Sequence, residues 1–426
     1  MNEQIAPDRE APAYLPRPTR ERSGIALCLS GGGFRAALFH LGALRRLNEL
    51  GVLSQVDTIS SVSGGSILAG HLAARLGQWP ATGQILPSNT WESQVAAPFR
   101  ALTSQDIRTG PILERWLSPS KILRPQTTVE ALARIYQKRL IDCPLVQLPE
   151  RPHYIFCATD LFFGVNWVFE RRRVGDYRAG YIRPPPTDWS VARAVTASSC
   201  FPPVFGPMIL DLMNEHLVGG SPPEGVARAD YGRAFQLSDG GVYDNMGLEP
   251  VWKDSRVCIV SDGGAPFPFS NETQPFRRLL RYITVANNQA AALRKRWLIA
   301  NFKNNVMEGT YWGLTSAATS YSSTDPNRPT VLPPQLYSDE VVKGSIGRIR
   351  TDMNAFSDAE IQILENHGYI LAEVAIQNHL HHLITPNPQP FQPPHAAWLE
   401  EGAVRQALRD SDKRFSLVKI LAQLFS

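Results

Sequence analysis

The amino-acid sequence predicts an α/β protein with three layers, α/β/α, a mostly parallel central sheet and a helical C-terminal extension. The main observation is a unit of strand, glycine-rich turn and helix that occurs twice in succession. The first unit comprises the apolar run 24–29, the turn Gly31-Gly32-Gly33 and a leucine-periodic helix. The second comprises a strand around 56–60, the stretch SSVSGGS and a helix from Gly64. Further apolar runs predict strands at 154–158, 165–169 and 257–260.

By composition, the chain divides into three parts. Residues 1–22 are charged and proline-rich, so we expect a disordered N-terminal segment that lacks the apolar block of a secretory signal. Residues 23–270 hold the strand and helix units and predict the main domain, with an aperiodic segment at 208–235 read as an inserted loop. Residues 271–426 predict a mostly helical region packed on or continuing that domain. It includes a capping box at 357–360 and a final helix from about residue 396.

Charge and cysteine usage exclude several classes of protein. The net charge of +4 over 426 residues is too small to indicate a nucleic-acid partner, and we expect none. The five cysteines show no CxxC spacing and are interpreted as reduced core thiols, which predicts a cytoplasmic protein. Separately, we expect no metal and no other cofactor. No run approaches the roughly 18 apolar residues of a transmembrane helix.

The segment 274–301 combines a helical pattern with six arginines and lysines at 277, 278, 281 and 294–296. Such a helix suits peripheral contact with an anionic membrane surface. It equally suits an ordinary amphipathic helix packed on the core. Because amphipathic helices are routine in globular folds, the second interpretation is favoured.

Ser63 is the candidate nucleophile. A serine hydroxyl needs a base to accept its proton and donors where the oxyanion forms. A sharp turn from strand to helix exposes its central side chain, provided that the neighbouring residues are small. Ser61-Val62-Ser63-Gly64-Gly65 meets this demand, although Ser61 stands where the G-x-S-x-G motif has glycine. A serine-rich linker or helix cap is the alternative for this stretch alone.

Two other stretches supply what the serine lacks. Gly31-Gly32-Gly33 precedes a helix, where backbone N–H groups converge on an anion and predict an oxyanion hole. A phosphate cradle is the weaker interpretation, since the spacing fits neither a P-loop nor G-x-G-x-x-G. Asp239, followed by Gly240 and Gly241 at the end of an apolar segment, is the candidate base.

Together and in this order, the three motifs resemble those of the patatin-like phospholipases. ATDL at 158–161, ARAVTASSCFPPVF at 192–205 and GVYDN at 241–245 extend the resemblance over about residues 24–265. It implies a patatin-like catalytic domain with a Ser63–Asp239 dyad, in which Asp239 takes the serine proton and returns it to the leaving group. It further implies an oxyanion hole from Gly31, Gly32, Gly33 and Gly64, supported by Arg35, Gly65, Gly240 and Gly241.

The base has alternatives. Asp262-Gly263-Gly264 repeats the Asp-Gly-Gly pattern after a strongly apolar strand, but its continuation departs from the family pattern, so Asp262 is interpreted as structural. A Ser-His-Asp triad stays open from sequence. His40 and His71 fall within predicted helices, and three further histidines cluster at 379–382. None of them stands in a turn like that of Asp239, so the dyad is favoured.

The implied reaction is acyl transfer to water through an acyl-enzyme. The resemblance suggests a phospholipase A-type lipid acyl hydrolase that cleaves fatty acyl esters of phospholipids or other lipid esters. Two alternatives use the same fold: a soluble carboxylesterase or thioesterase on the same dyad, and a catalytically silent binding protein. Retention of the serine, the glycine turn and the aspartate together disfavours the last.

Overall fold

The structure is a computed structural model that describes residues 21–116, 126–202, 204–267, 269, 271, 274–409 and 411. The predicted disordered segment 1–22 lies almost wholly outside the described residues, as does the chain after residue 411. In the described part, no helix is long and apolar enough to cross a membrane.

Within the described residues, eleven strands form one mixed sheet in the order β11-β10-β1-β2-β3-β4-β5-β6-β8, with β9 pairing to β3 and β7. Neighbours from β11 through β3 pair in parallel, and the remaining pairs are antiparallel. The strands are β1 (Ile25–Leu29), β2 (Thr58–Val62), β3 (His153–Asp160), β4 (Val165–Glu170), β5 (Val174–Asp176), β6 (Gly180–Ile182), β7 (Met208–Leu210), β8 (Leu217–Val218), β9 (Phe235–Asp239), β10 (Val257–Asp262) and β11 (Glu308–Gly313).

The helices flank this sheet. They are α1 (Gly33–Glu49), α2 (Gly64–Arg75), α3 (Ser88–Thr90), α4 (Ala97–Thr103), α5 (Thr109–Trp116), α6 (Gln126–Arg139), α7 (Val191–Ser199), α8 (Arg228–Tyr231), α9 (Gly241–Asp244), α10 (Pro275–Lys303), α11 (Asp339–Gly344), α12 (Asp358–His379) and α13 (Glu401–Leu408). A π-helical turn, Trp91–Ala96, joins α3 to α4.

The two faces of the sheet bury separate apolar clusters, as alternation along β1 requires. Ile25, Leu27 and Leu29 enter the larger cluster, with helices α1, α2 and α12 above it. Ala26 and Cys28 enter a smaller cluster on the other face, which includes residues 246–252 and Leu298 of α10. This is the predicted three-layer α/β/α arrangement with a mostly parallel centre.

The predicted strands at 24–29, 154–158, 165–169 and 257–260 are confirmed with small shifts of their ends. The aperiodic segment 208–235 holds two short strands and the short helix α8 instead of a plain loop. All five cysteines carry free thiols; Cys143 is half-buried and the other four are buried.

The region beyond residue 270 continues the same core. Strand β11 adds to the sheet beside β10, and α12 packs along α1. The predicted capping box at Ser357 and Glu360 opens α12. Helix α12 runs through Gly368 without a break. A Cβ at Gly368 would lie 1.9 Å from the Phe39 carbonyl oxygen, so the glycine allows α12 to pack closely on α1.

Candidate active site

Ser63 alone connects β2 to α2, at the carboxyl end of a central strand. Its backbone has φ 50 and ψ −117, a positive φ that costs energy in a non-glycine residue. The strain turns the side chain out of the sheet towards a cavity that Ser63 lines. The structure therefore forms the strand–turn–helix elbow that the sequence predicts, despite Ser61 in place of glycine.

The glycines around the elbow allow a close approach of two turns. A Cβ on Gly64 would lie 2.1 Å from the Gly33 carbonyl oxygen, and one on Gly65 would lie 2.2 Å from that of Leu29. A Cβ on Gly31 would lie 3.0 Å from the Cβ of Ser63. The glycine turn after β1 and the serine elbow after β2 consequently lie against each other.

Backbone N–H groups of this turn are available to an anion. Those of Gly32, Gly33 and Gly64 have no hydrogen-bond acceptor within the described part of the chain. The Gly31 N–H differs, because it donates to the Asn245 carbonyl at 3.0 Å. Gly33 and Gly64 also begin α1 and α2, whose N-terminal dipoles favour negative charge.

Asp239 reaches the elbow through an exchange of strand partners along β3. Along one edge of β3, the N-terminal residues pair with β2, and this pairing ends where Val62 lies opposite Cys157. Beyond that point β2 has turned into α2, and β9 takes its place, with Asp239 opposite Ala158. The carboxylate therefore lies at the position in the sheet where the serine leaves it, and both residues line the same cavity.

The environment of Asp239 favours a carboxyl group that can exchange a proton near neutrality. Burial raises its pKa to about 7, although the N–H of Gly241, at 2.7 Å from Oδ1, and the Ser63 hydroxyl favour the ionised form. No hydrogen bond of normal geometry joins Ser63 to Asp239, and Oδ2 has no partner among the described residues. Catalytic hydrogen bonds are commonly long before substrate binds.

Ser198, at the end of α7, is a residue that the sequence reasoning did not single out by itself. Its carbonyl accepts from the N–H of Ser63 at 3.1 Å and from that of Gly240 at 3.4 Å. Its hydroxyl accepts from the Ser63 N–H at 3.0 Å and contacts the hydroxyl of Ser66 at 2.8 Å. One residue thereby holds the serine elbow and the aspartate turn together. Its position within the 192–205 stretch was the only available signal.

Asp262 and Arg35 have structural partners. The carboxylate of Asp262 accepts from the Gly264 N–H at 2.9 Å and from the Tyr311 hydroxyl at 2.7 Å. The buried guanidinium of Arg35 donates to the carbonyls of Gly263 and Ile349. Burial lowers the pKa of Arg35 to about 10. Arg35 therefore supports the turn beside the glycines and is not a lining residue of the cavity.

The histidines that remained open as bases point elsewhere. His40 contacts the Ser261 hydroxyl at 2.7 Å and the Ser30 carbonyl at 3.0 Å, and His71 contacts the Val95 carbonyl. Burial lowers the pKa of each imidazole to about 4, so both are neutral at physiological pH. In the part of the chain that the structure describes, no histidine lines the cavity around Ser63.

The cavity has a volume of about 640 Å³ and extends from Ser63 to helix α10. Apolar lining comes from Phe201, Val204, Phe205, Met246, Phe267 and Met353. Charged lining comes from the Arg108–Asp352 ion pair, from Arg294 and Lys295 of α10, and from Asp239, Asp244 and Asp262. The described residues contain no cluster of three or more side chains that could hold a metal ion.

Comparison with protein families decides the relationship. The model of the patatin-like phospholipases matches residues 27–252, more than half of the chain. The chain belongs to the patatin-like phospholipase family. This membership supports lipid acyl hydrolysis at the level of the family. The matched range contains the glycine turn, the serine elbow, Ser198 and Asp239.

Solved structures with a similar fold come from a human and a bacterial protein. Human GIVD cytosolic phospholipase A2 is 14% identical, with a TM-score of 0.41, over 92% of this chain and 60% of that one. The same protein in complex with methyl gamma-linolenyl fluorophosphonate is 13% identical, with a TM-score of 0.43 and the same coverage. VipD from Legionella pneumophila is 15% identical, with a TM-score of 0.33, over 84% of this chain and 67% of that one. No curated protein sequence matches the chain.

Proposed function

We propose that the chain is a phospholipase A-type lipid acyl hydrolase that uses a Ser63–Asp239 dyad and an acyl-enzyme intermediate. The observation that carries the proposal is the meeting of three features at one cavity. They are a serine in a strained elbow, a buried carboxyl group with a pKa of about 7 and backbone N–H groups without acceptors. An aspartate with this pKa can both take and return a proton near neutral pH.

The proposed reaction begins when Ser63 Oγ attacks the ester carbonyl carbon and its proton passes to Asp239. The N–H groups of Gly32, Gly33 and Gly64 stabilise the oxyanion. This electrostatic stabilisation is usually the largest contribution to the rate at such a site. Collapse of the tetrahedral intermediate breaks the ester bond, and Asp239 returns the proton to the departing alcohol oxygen. Water then attacks the acyl-enzyme carbonyl and gives a proton to Asp239. As the bond between the acyl carbon and Ser63 Oγ breaks, Asp239 returns that proton to Ser63 Oγ and the fatty acid is released.

The cavity supports a lipid ester as the substrate. Its apolar wall of phenylalanines, methionines and Val204 suits an acyl chain. Arg294 and Lys295 also line the cavity and suit an anionic head group. Arg294 is paired with Asp244 at 3.9 Å, and Lys295 lies 4.4 Å above the ring of Tyr311.

A fluorophosphonate probe tests the nucleophile. We expect labelling of the wild-type protein and none of Ser63→Ala, since the probe reacts with an activated serine. Ser199→Ala is the matched control: Ser199 also lines the cavity, but its hydroxyl donates to the Val195 carbonyl at 2.7 Å. Labelling of a folded Ser63→Ala variant would overturn the assignment.

Substrate class is tested by comparing two substrates with the same protein. We expect fatty acid release from phospholipid vesicles that is lost in Ser63→Ala. Rapid hydrolysis of short soluble esters or thioesters, with no release from vesicles, would instead identify a soluble esterase or thioesterase on the same dyad. Labelling without turnover of either substrate would indicate a binding protein.

A further inference from the structure

In helix α10, large apolar side chains face the solvent and small or polar side chains face the protein, whereas a surface helix of a globular protein usually shows the opposite arrangement. The residues that line the cavity are small or polar, namely Thr284, Asn287, Asn288, Ala290, Ala291, Ala292, Arg294 and Lys295. The large apolar side chains Leu279, Tyr282, Ile283 and Leu293 lie in solvent, each between 52% and 62% exposed, and Val285, on a neighbouring face, is 40% exposed. An ordinary surface helix would bury these four residues.

The four exposed side chains form one stripe. At about 100° per residue, positions 279, 282, 283 and 293 lie within an arc of about 100°. Ala286 and Ala290 occupy the same arc between them, so no charged residue interrupts it. Of the residues that line the cavity, Ala290 lies within this arc and Arg294 directly beside it, and the others lie on the remaining faces of the helix. We refer to Leu279, Tyr282, Ile283 and Leu293 as the outer stripe.

Among the described side chains of α10, large apolar residues near the C-terminal end pack on the rest of the protein. Leu298 is fully buried, and Trp297 packs edge-on against Trp252 at 5.2 Å. Towards the N-terminus, Phe267 is exposed at the rim of the cavity, 3.9 Å from the guanidinium of Arg281. The favoured expectation of a helix packed on the core thus holds for the last turns, while the outer stripe lies in solvent.

Charge on α10 has one sign. The helix contains seven arginines and lysines and no acidic residue, although the whole chain carries a net charge of only +4. Arg296 is exposed beside the stripe. A basic, acid-free helix with an aligned apolar face has the composition of interfacial helices that lie on anionic membranes. Basic residues near such a surface add electrostatic attraction to the anionic lipids.

We propose that the outer stripe of α10 docks on an anionic phospholipid surface and thereby seats the mouth of the Ser63 cavity against the membrane. The inference rests on the proposed lipid hydrolysis, because it names the surface from which that site takes its substrate. A second copy of this chain fits less well, since a two-fold contact would bring the positive helix against itself.

Vesicle sedimentation tests the docking in the Ser63→Ala background, so that binding is measured without hydrolysis. We expect strong binding to phosphatidylcholine mixed with phosphatidylserine, weak binding to phosphatidylcholine alone, and weakening by salt. Leu279→Ser with Ile283→Ser should reduce binding by at least about tenfold. The melting temperature should not fall, because both side chains lie in solvent.

Leu332→Ser is the matched control, because Leu332 is also an exposed leucine but lies off α10. We expect it to bind vesicles as the parent protein does. Equal binding by the double variant, or binding that ignores phosphatidylserine, would overturn the proposal. A dimer in solution that the double variant converts to monomer, with vesicle binding unchanged, would assign the stripe to a second copy.

The two proposals fail separately. If wild-type protein is labelled at Ser63 and hydrolyses lipid equally well with and without the outer stripe, docking by α10 is refuted and the dyad stands. If Ser63→Ala keeps full hydrolysis while the stripe variant loses vesicle binding, the dyad is refuted and the docking surface stands.

Discussion

The ionisation of Asp239 should control the rate of hydrolysis around neutral pH. The buried carboxyl group has a pKa of about 7, and it accepts the Ser63 proton only when it is ionised. With this pKa, about one tenth of the molecules carry ionised Asp239 at about pH 6 and about nine tenths at about pH 8. The kcat/KM for a short soluble ester should therefore rise about tenfold over this interval.

The assay is kcat/KM against pH for a soluble ester, normalised to folded protein. A soluble substrate keeps membrane binding out of the profile. Asp239→Asn preserves the shape of the side chain but removes proton acceptance. It should lower kcat/KM by about 10² to 10⁴, the usual contribution of a general base.

Three matched variants separate Asp239 from its alternatives. Asp262→Asn should keep the midpoint near pH 7 and lower stability instead, because Asp262 binds the Gly264 N–H and the Tyr311 hydroxyl. His40→Ala and His71→Ala should also keep the midpoint, since both imidazoles have a pKa of about 4 and stay neutral through the interval.

Two results would refute this reasoning. A rate that is constant between about pH 5 and pH 8 would mean that Asp239 is already ionised or is not the base. An active, folded Asp239→Asn protein beside an inactive, folded Asp262→Asn protein would transfer the role to Asp262. Loss of the midpoint in a histidine variant alone would replace the dyad with a triad.

Three further predictions follow from particular contacts. Ser198→Ala removes the hydroxyl that receives the Ser63 N–H; a lost hydrogen bond of about 1 kcal/mol should lower kcat roughly fivefold with KM little changed, as steady-state kinetics will show. Gly42→Ala places a Cβ 1.8 Å from the Glu365 carbonyl oxygen and should destabilise the protein by about 1–3 kcal/mol in denaturant titrations, whereas Gly110→Ala, with open space around it, should not. Burial and the neighbouring Asp176 raise the pKa of Asp160 to about 7, so between about pH 4 and pH 7 the folded state holds a proton that the unfolded state releases. The free energy of unfolding therefore falls as the pH rises through this interval. The melting temperature of Asp160→Asn should fall less over the same interval than that of the wild type.

Much of the candidate site could be predicted because its parts are local in sequence. A strand followed at once by glycines and a helix can form only a tight turn, and Gly31–Gly33 and Ser63–Gly65 each form one. The carboxyl ends of neighbouring parallel strands meet at one edge of a sheet, so β1 and β2 bring the two turns together. Asp239 was found from its own Asp-Gly-Gly pattern and from the family resemblance, not from any pairing visible in sequence.

Other features depended on contacts between distant segments. The short strands β5 to β8 and β11 carry too little periodicity to be recognised alone. They are stabilised by partners such as β10, which lies about fifty residues before β11. The role of Ser198 depends on tertiary contacts, because its carbonyl accepts hydrogen bonds from the N–H groups of both Ser63 and Gly240. The Gly31 N–H differs from those of the following glycines because it donates to the carbonyl of Asn245, which lies more than two hundred residues away in sequence.

Local sequence patterns predict the α/β class, the two glycine-lined turns and the candidate nucleophile, because each depends on the conformation of short segments. The choice of Asp239 over Asp262 as the base depended also on the family resemblance. The direction in which each face of a helix points depends on tertiary packing. Composition showed that α10 is basic and amphipathic, and helical periodicity places Leu279, Tyr282, Ile283 and Leu293 on one side. Whether that side faces the core or the solvent is set by what packs against the rest of the helix. Here residues on the other faces line the cavity of Ser63 and Asp239, and the apolar stripe is left outside.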